Sequence, residues 1–247
     1  MIDLQKAYIS QAIYVAANEL DKRIRYKQEA AEEAFGSFIS AQSQQTNIPD
    51  DFDPTQPRLI FQSAHKQMVV SQVACQLSLG FESASKSIDA QIGIIFKNIE
   101  ECHKKIVQFR GQETLKENAL VIVLSIPSDG TREEISEFVY SRFIKMPRFS
   151  QIASSSAKVG YLLDNGVFLN IEADVYEKRG GTVQATAGST FDLNTLPILE
   201  MGVSIKVDIN TKPRAVEDGY INDGPSEIIS LMKEYFPGKV ISLLEQA

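Results

Sequence analysis

Glu172 and Asp174 stand two residues apart in NIEADVYE, and Lys206 and Asp208 repeat that spacing in SIKVDIN. Side chains two apart on a strand share a face. Carboxylates from neighbouring strands with a lysine nearby are the groups a metal-dependent nuclease uses to hold a divalent cation and activate water. An enzymatic alternative therefore rests on Glu172, Asp174 and Asp208. Opposite charges alternating on a wet sheet face also arise simply from cross-strand pairing, with no chemistry attached. On that reading no catalytic, cofactor-binding or metal-binding residue is assigned.

Three other groupings invite chemistry. Asp50, Asp51 and Asp53 in IPDDFDP offer oxygens to a hard cation. They lack a following bidentate glutamate and sit between prolines, which reads as a solvated turn. Cys102-His103 pairs a thiol with an imidazole, but Cys102 falls on an apolar helix stripe, where a free cysteine behaves as a small hydrophobe. Arg179-Gly180-Gly181 and Gly188-Ser189-Thr190 do not match a phosphate-binding loop. They bound a long connection, Arg179 to Thr195, whose length makes it a candidate binding element. No cofactor is implied.

The chain has 247 residues, enough for one large domain or two small ones. Its 25 basic and 32 acidic residues give a net charge of −7. That balance disfavours direct nucleic-acid binding and membrane-surface roles, which need a clustered basic face. The N-terminal residues do not read as a signal peptide. No window approaches the roughly 20 apolar residues of a spanning helix. A cytoplasmic protein without a membrane role is expected. Two cysteines, Cys75 and Cys102, are too few for a disulfide framework.

The elements that would position these residues follow from periodicity. Asn165-Gly166 suits a two-residue type I′ turn. Such a turn pairs Leu162 with Leu169, Gly160 with Ile171 and Lys158 with Ala173. Val167, Leu169, Ile171, Ala173 and Val175 then form the inner stripe, and Phe168, Asn170, Glu172, Asp174 and Tyr176 the wet one. Met201–Ile209 alternates in the same way, with Val203, Ile205, Val207 and Ile209 inward. Ala119–Leu124 is continuously apolar and reads as a central strand covered on both faces. Earlier in the chain, residues 8–16 read either as a strand with Ile9, Ile13 and Val15 in one register, the preferred reading, or as an extension of the helix that follows. A helix from Leu20 carries Ile24, Ala31, Phe35 and Phe38. Arg58–Phe61 and a single long strand, Met68–Phe81, form a hairpin with Val69, Val73, Cys75, Leu77 and Leu79 on one side.

Helices complete the pattern. Ile88, Ile92, Ile95, Ile99, Cys102, Ile106 and Phe109 recur at intervals of four and three, one face of a helix. Thr131 and Glu134 form a capping box. Pro225 opens a last helix bearing Ile228, Ile229 and Met232, followed by a short coda, VISLLEQ. The expected fold is α+β: a largely antiparallel sheet from two related halves, residues 1–112 and 113–247, joined in one unit with long amphipathic helices on one face.

PRLIFQSAHKQMVV followed by QLSLGF, the hairpin ending in NIEADVYE, and the closing strand plus amphipathic helix resemble a sporadically distributed, poorly characterised group of prokaryotic proteins of about this length. The duplicated layout is also similar in outline to TATA-binding-protein-like saddles and to SecB-like chaperone sheets. The missing catalytic constellation, the extensive sheet with one polar face and the long loop from Arg179 to Thr195 point to an accessory subunit that binds other proteins. The resemblance to the prokaryotic group implies a defence (including antiviral) or toxin–antitoxin assembly. Other protein subunits are the expected partners, a homo-oligomer among them. A small-ligand sensor, with a pocket between sheet and helices, is a further alternative to the nuclease.

Overall fold

The computed structural model describes residues 2–82, 86–144, 146–181, 195–217, 220 and 222–245. The fold is α+β. The first half runs β1 (Tyr8–Asn18), α1 (Gln28–Ile39), β2 (Ser43–Gln45), β3 (Leu59–Gln62), β4 (Lys66–Val70), β5 (Ala74–Gly80) and α2 (Ile88–Arg110). The second runs β6 (Leu115–Pro127), α3 (Arg132–Phe143), β7 (Ser156–Leu162), β8 (Phe168–Arg179), β9 (Ile198–Asn210), α4 (Ser226–Tyr235) and α5 (Gly238–Glu245). Among the described residues the strands form one nine-stranded sheet in the order β2-β3-β4-β5-β1-β6-β9-β8-β7. Every pairing is antiparallel. The halves meet where β1 pairs with β6, at the centre of the sheet.

One face of this sheet is core. Tyr14, Leu120, Ile122, Leu124, Val203, Ile205, Val207 and Ile209 are buried there against Ile95, Ile99, Cys102 and Ile106 of α2, Ile135 and Val139 of α3, and Ile228 and Met232 of α4. Phe35 of α1 meets Phe61 and Phe109 edge-on, with ring centroids 5.9 and 5.4 Å apart. Such pairs add about 0.5–1.5 kcal/mol each beyond area burial. The capping box forms: Thr131 Oγ1 accepts from the Glu134 N–H, and the Glu134 carboxylate accepts from the Thr131 N–H.

Several expectations are corrected. The long strand Met68–Phe81 is two strands, β4 and β5, turned back at residues 71–73. Ser71 Oγ accepts from the N–H groups of Val73 and Ala74, a local bond that stands in for the turn glycine. Crossing the turn changes which residues face inward, so Met68 and Val70 join Cys75, Leu77 and Leu79 in the core, and Val69 faces away. In β1 a register shift between Ile9 and Gln11 buries Ala12, Tyr14 and Ala16 and places Ile13 and Val15 on the other face. The first helix begins at Gln28, after a short 3₁₀ turn over Ile24–Lys27, and Leu20 is exposed. The coda folds as α5, burying Val240 and Leu244.

The hairpin at Asn165-Gly166 is also different. Only Gly166 has positive φ, +73°. The Gly166 N–H donates to Leu163 C=O and the Leu163 N–H to Val167 C=O, which makes a three-residue loop with Gly166 in the left-handed position. The extra residue slides the register by one. Tyr161 faces Leu169, Gly160 faces Asn170, and Lys158 faces Glu172 rather than Ala173.

Candidate interaction surface

The face of the sheet opposite the helices carries no covering layer among the described residues. At its centre Ile13 faces Val121, Val15 faces Ala119, and Gln11 faces Val123. Ile13, Val15, Val121 and Val123 are half-buried, shielded by strand neighbours rather than by a second layer. Ala119–Leu124 is therefore covered on one face and not on both, contrary to what its continuous apolar run predicts. Towards β5, Ser78 and Gln76 flank this strip, with Val69 and Ile60 beyond. Towards β9, Val123 faces Lys206 and Val121 faces Asp208.

The candidate acids lie on this charged flank. The corrected register makes a row of Lys158, Glu172 and Lys206 across three strands. Both ammonium groups stand near the Glu172 carboxylate, at 4.0 and 3.7 Å. Asp174 accepts from the Val175 N–H at 2.8 Å. Asp208 accepts from the side-chain amides of Asn170 and Asn210 at 3.3 and 3.1 Å. Glu172, Asp174 and Asp208 thus share a face, but each has its own local partners. Among the described residues no group of three or more His, Cys, Asp or Glu stands together as a metal site.

At one end of the same face a polar cluster closes over the sheet. The Tyr8 hydroxyl donates to Glu200 Oε1 at 2.7 Å, and the Tyr176 hydroxyl donates to the same oxygen at 2.9 Å. Lys178 Nζ lies 2.9 Å from the Glu200 carboxylate, touches the Tyr8 hydroxyl and sits 4.5 Å from the Tyr8 ring centroid. Burial, then the adjacent Glu200 carboxylate, pushes the Tyr176 phenol well above its ordinary value. Tyr176, Lys178 and Glu200 could be placed together from strand spacing. Tyr8 could not, since it lies on a strand from the opposite half.

The remaining groupings resolve into structure. Asp50 pairs with Arg25 at 3.1 Å and lies 3.6 Å from the guanidinium of Arg58. Asp53 accepts from the Thr55 N–H and hydroxyl. Arg58, fully buried, donates to the carbonyls of Gln56, Pro49, Phe52 and Asp53, so the proline-bearing loop is wrapped around its side chain. Cys102 and Cys75 are free and buried, and burial pushes both thiols up, away from the reactive thiolate.

His103 turns to a different partner. Its Nδ1 is 2.8 Å from the Tyr14 hydroxyl, which donates to Asn118 Oδ1. Asn118 Nδ2 in turn donates to Asn222 Oδ1 at 2.5 Å. Burial lowers the His103 pKa. This chain of polar groups ties α2, β1 and β6 to the approach to α4. Residues 182–194 of the long connection, including Gly188-Ser189-Thr190, lie outside the described residues. At its base Arg179 reaches the Glu177 carboxylate at 2.6 Å and Leu196 C=O at 3.1 Å.

Two cavities adjoin these elements. One of 410 Å³ is lined by His65, Lys66, Gly80, Gln91 and Asn98, between the β4–β5 hairpin and α2. Lys66 there donates to Phe38 C=O at 3.0 Å, and burial lowers its pKa. The other, of 230 Å³, is an apolar groove between α5 and the outer strands, lined by Tyr161, Leu169, Ile171, Tyr235, Val240 and Leu243. Among the described residues no helix is long and apolar enough to cross a membrane. Comparison with protein-family models and with curated proteins returns no match to this chain.

Proposed function

We propose that this chain is a non-enzymatic accessory subunit that binds a different protein across the open face of its sheet. The observation that carries the proposal is the apolar strip Ile13, Val15, Val121 and Val123 at the centre of that face. A continuous apolar run on a central strand is the pattern of a strand buried on both sides. Here the chain supplies one side only, and the second belongs to a partner. Nucleic acid does not suit this face, because its charged flank pairs Lys158 and Lys206 with Glu172 and adds Asp174 and Asp208. The fitting partner is a protein surface with an apolar strip and mixed charge beside it. The resemblance to a sporadically distributed prokaryotic group supports a defence or toxin–antitoxin assembly as the setting of such a complex, which on this reading is cytoplasmic.

Co-expression with the products of adjacent genes tests this. A partner is expected to copurify with the wild-type chain and to be lost from the triple variant Ile13→Thr, Val121→Thr, Val123→Thr. Threonine keeps the branched Cβ that suits a strand while making the strip polar. Circular dichroism of the variant checks the fold. A partner that copurifies equally well with the variant, or no copurifying partner at all, overturns the proposal.

A further inference from the structure

The two outer edges of the sheet are not alike, and one of them is built to be extended. β7 is the terminal strand on the second-half side, seven residues long, and among the described residues pairs only with β8. The Leu163 N–H bonds to Val167 C=O at the hairpin end. By the alternation of an antiparallel ladder, the N–H and C=O groups of Ser156, Lys158, Gly160 and Leu162 then point away from β8. Exposed edges are commonly blunted by charge, proline or a bulge. β7 has no proline and no bulge in its register, and its one charge, Lys158, leans back towards Glu172 on its own sheet. Val159 and Tyr161, on the helix side, are each 48 % exposed, because the helix layer ends at the groove beside α5.

We propose that β7 pairs antiparallel with β7 of a second copy of this chain, about a two-fold axis at Val159 and perpendicular to the sheet. The sequence SAKVGYL fits itself in this register. Directly opposed residues share a face, so Val159 meets its own copy, Lys158 meets Gly160, and Tyr161 meets Ala157. A large side chain lies over a small one, and no like charges are opposed. A register centred on Lys158 would set two ammonium groups face to face, which destabilises a pair. The Val159-centred register also matches every outward-pointing N–H and C=O with a partner: Lys158 with Gly160, and Ser156 with Leu162. The two-fold keeps both helix layers on one side, so the α5 groove of each copy is roofed by Ala157, Val159 and Tyr161 of the other. The open faces stay together on the opposite side. This pairing uses a surface distinct from the strip assigned to the partner protein and does not depend on it.

Sedimentation equilibrium on the full chain tests the pairing. The wild-type chain is expected at twice the monomer mass. Val159→Asp and Val159→Lys each oppose like charges at the axis, and each is expected at monomer mass with an unchanged circular dichroism spectrum. An equimolar mixture of the two variants opposes aspartate with lysine and is expected to regain the dimer mass. Gly160→Pro removes an outward N–H without touching the ladder to β8, and it too is expected to halve the mass. A wild-type chain that is monomeric at all accessible concentrations overturns the proposal. So does a dimer that survives Val159→Asp.

Discussion

The sheet runs outward from the β1–β6 seam through β5, β4, β3 and β2 on one side and through β9, β8 and β7 on the other, and its two margins differ. The first half ends in β2, three polar residues, Ser-Gln-Gln, followed by a loop held by Arg25 and the buried Arg58. The second ends in β7, long, partly apolar and untethered along its outer side. The two margins thus differ in design. In one, the half-buried Arg25 and the buried Arg58 collect carbonyls of the loop between β2 and β3 and tie down the end of that hairpin. In the other, the hydrogen-bonding edge remains available. One margin is thus short and polar beside a tied-down loop, and the other is longer and partly apolar.

Four substitutions sharpen this contrast. Arg58→Leu should have the largest effect, because it leaves several buried carbonyls without their donor and removes one of the two guanidinium groups beside Asp50. A loss of about 3 kcal/mol in urea-induced unfolding is expected. Thr131→Ala removes the capping box of α3 in the other half and should cost about 1 kcal/mol by the same measurement.

A pH effect at the seam comes next. Burial depresses the His103 pKa below its ordinary 6.5, so the unfolded chain binds this proton more readily than the folded one. This contribution disfavours folding as pH falls below 6.5 towards the depressed value, and it is absent above 6.5. His103→Asn should flatten the slope of unfolding free energy against pH in that window; an unchanged slope would mean that other groups set it. Glu172→Ala should do least, within about 0.5 kcal/mol, because its ion pairs with Lys158 and Lys206 are partly exposed.

What the sequence made legible follows from where the signal is local. The alternation in β9 specifies its own inner face, because one side of that strand is core. The stripe on α2 and the capping box at Thr131 are likewise written within a turn or two of helix. Three features lay outside this signal. The β4–β5 turn has no glycine, proline or asparagine at its bend and is made by a serine hydroxyl. The shift near Ser10 reverses the inner and outer residues of β1 without changing their hydrophobicity. Arg58 sits in a strand-like sequence, and its role depends on carbonyls gathered by the loop before it. For the candidate surface, Val121 and Val123 were visible as apolar, but only the sheet topology shows that none of the described helices covers them. The register of β7, on which the neighbour of Glu172 depends, turned on a single residue in the loop at Gly166.

The pairing of β1 with β6 has a consequence for how the chain is made. Tyr14 and its partner Asn118 are 104 residues apart. At a synthesis rate of about 10 residues per second, β1 emerges roughly ten seconds before the strand that completes it. In that interval β5 can occupy one of its edges, while the other remains a bare template. The ribosome therefore presents, for a time, a half-sheet whose future centre is still a margin. Its contacts are distant in sequence, which slows closure, and the nascent chain is exposed to mispairing until residues 115–127 arrive.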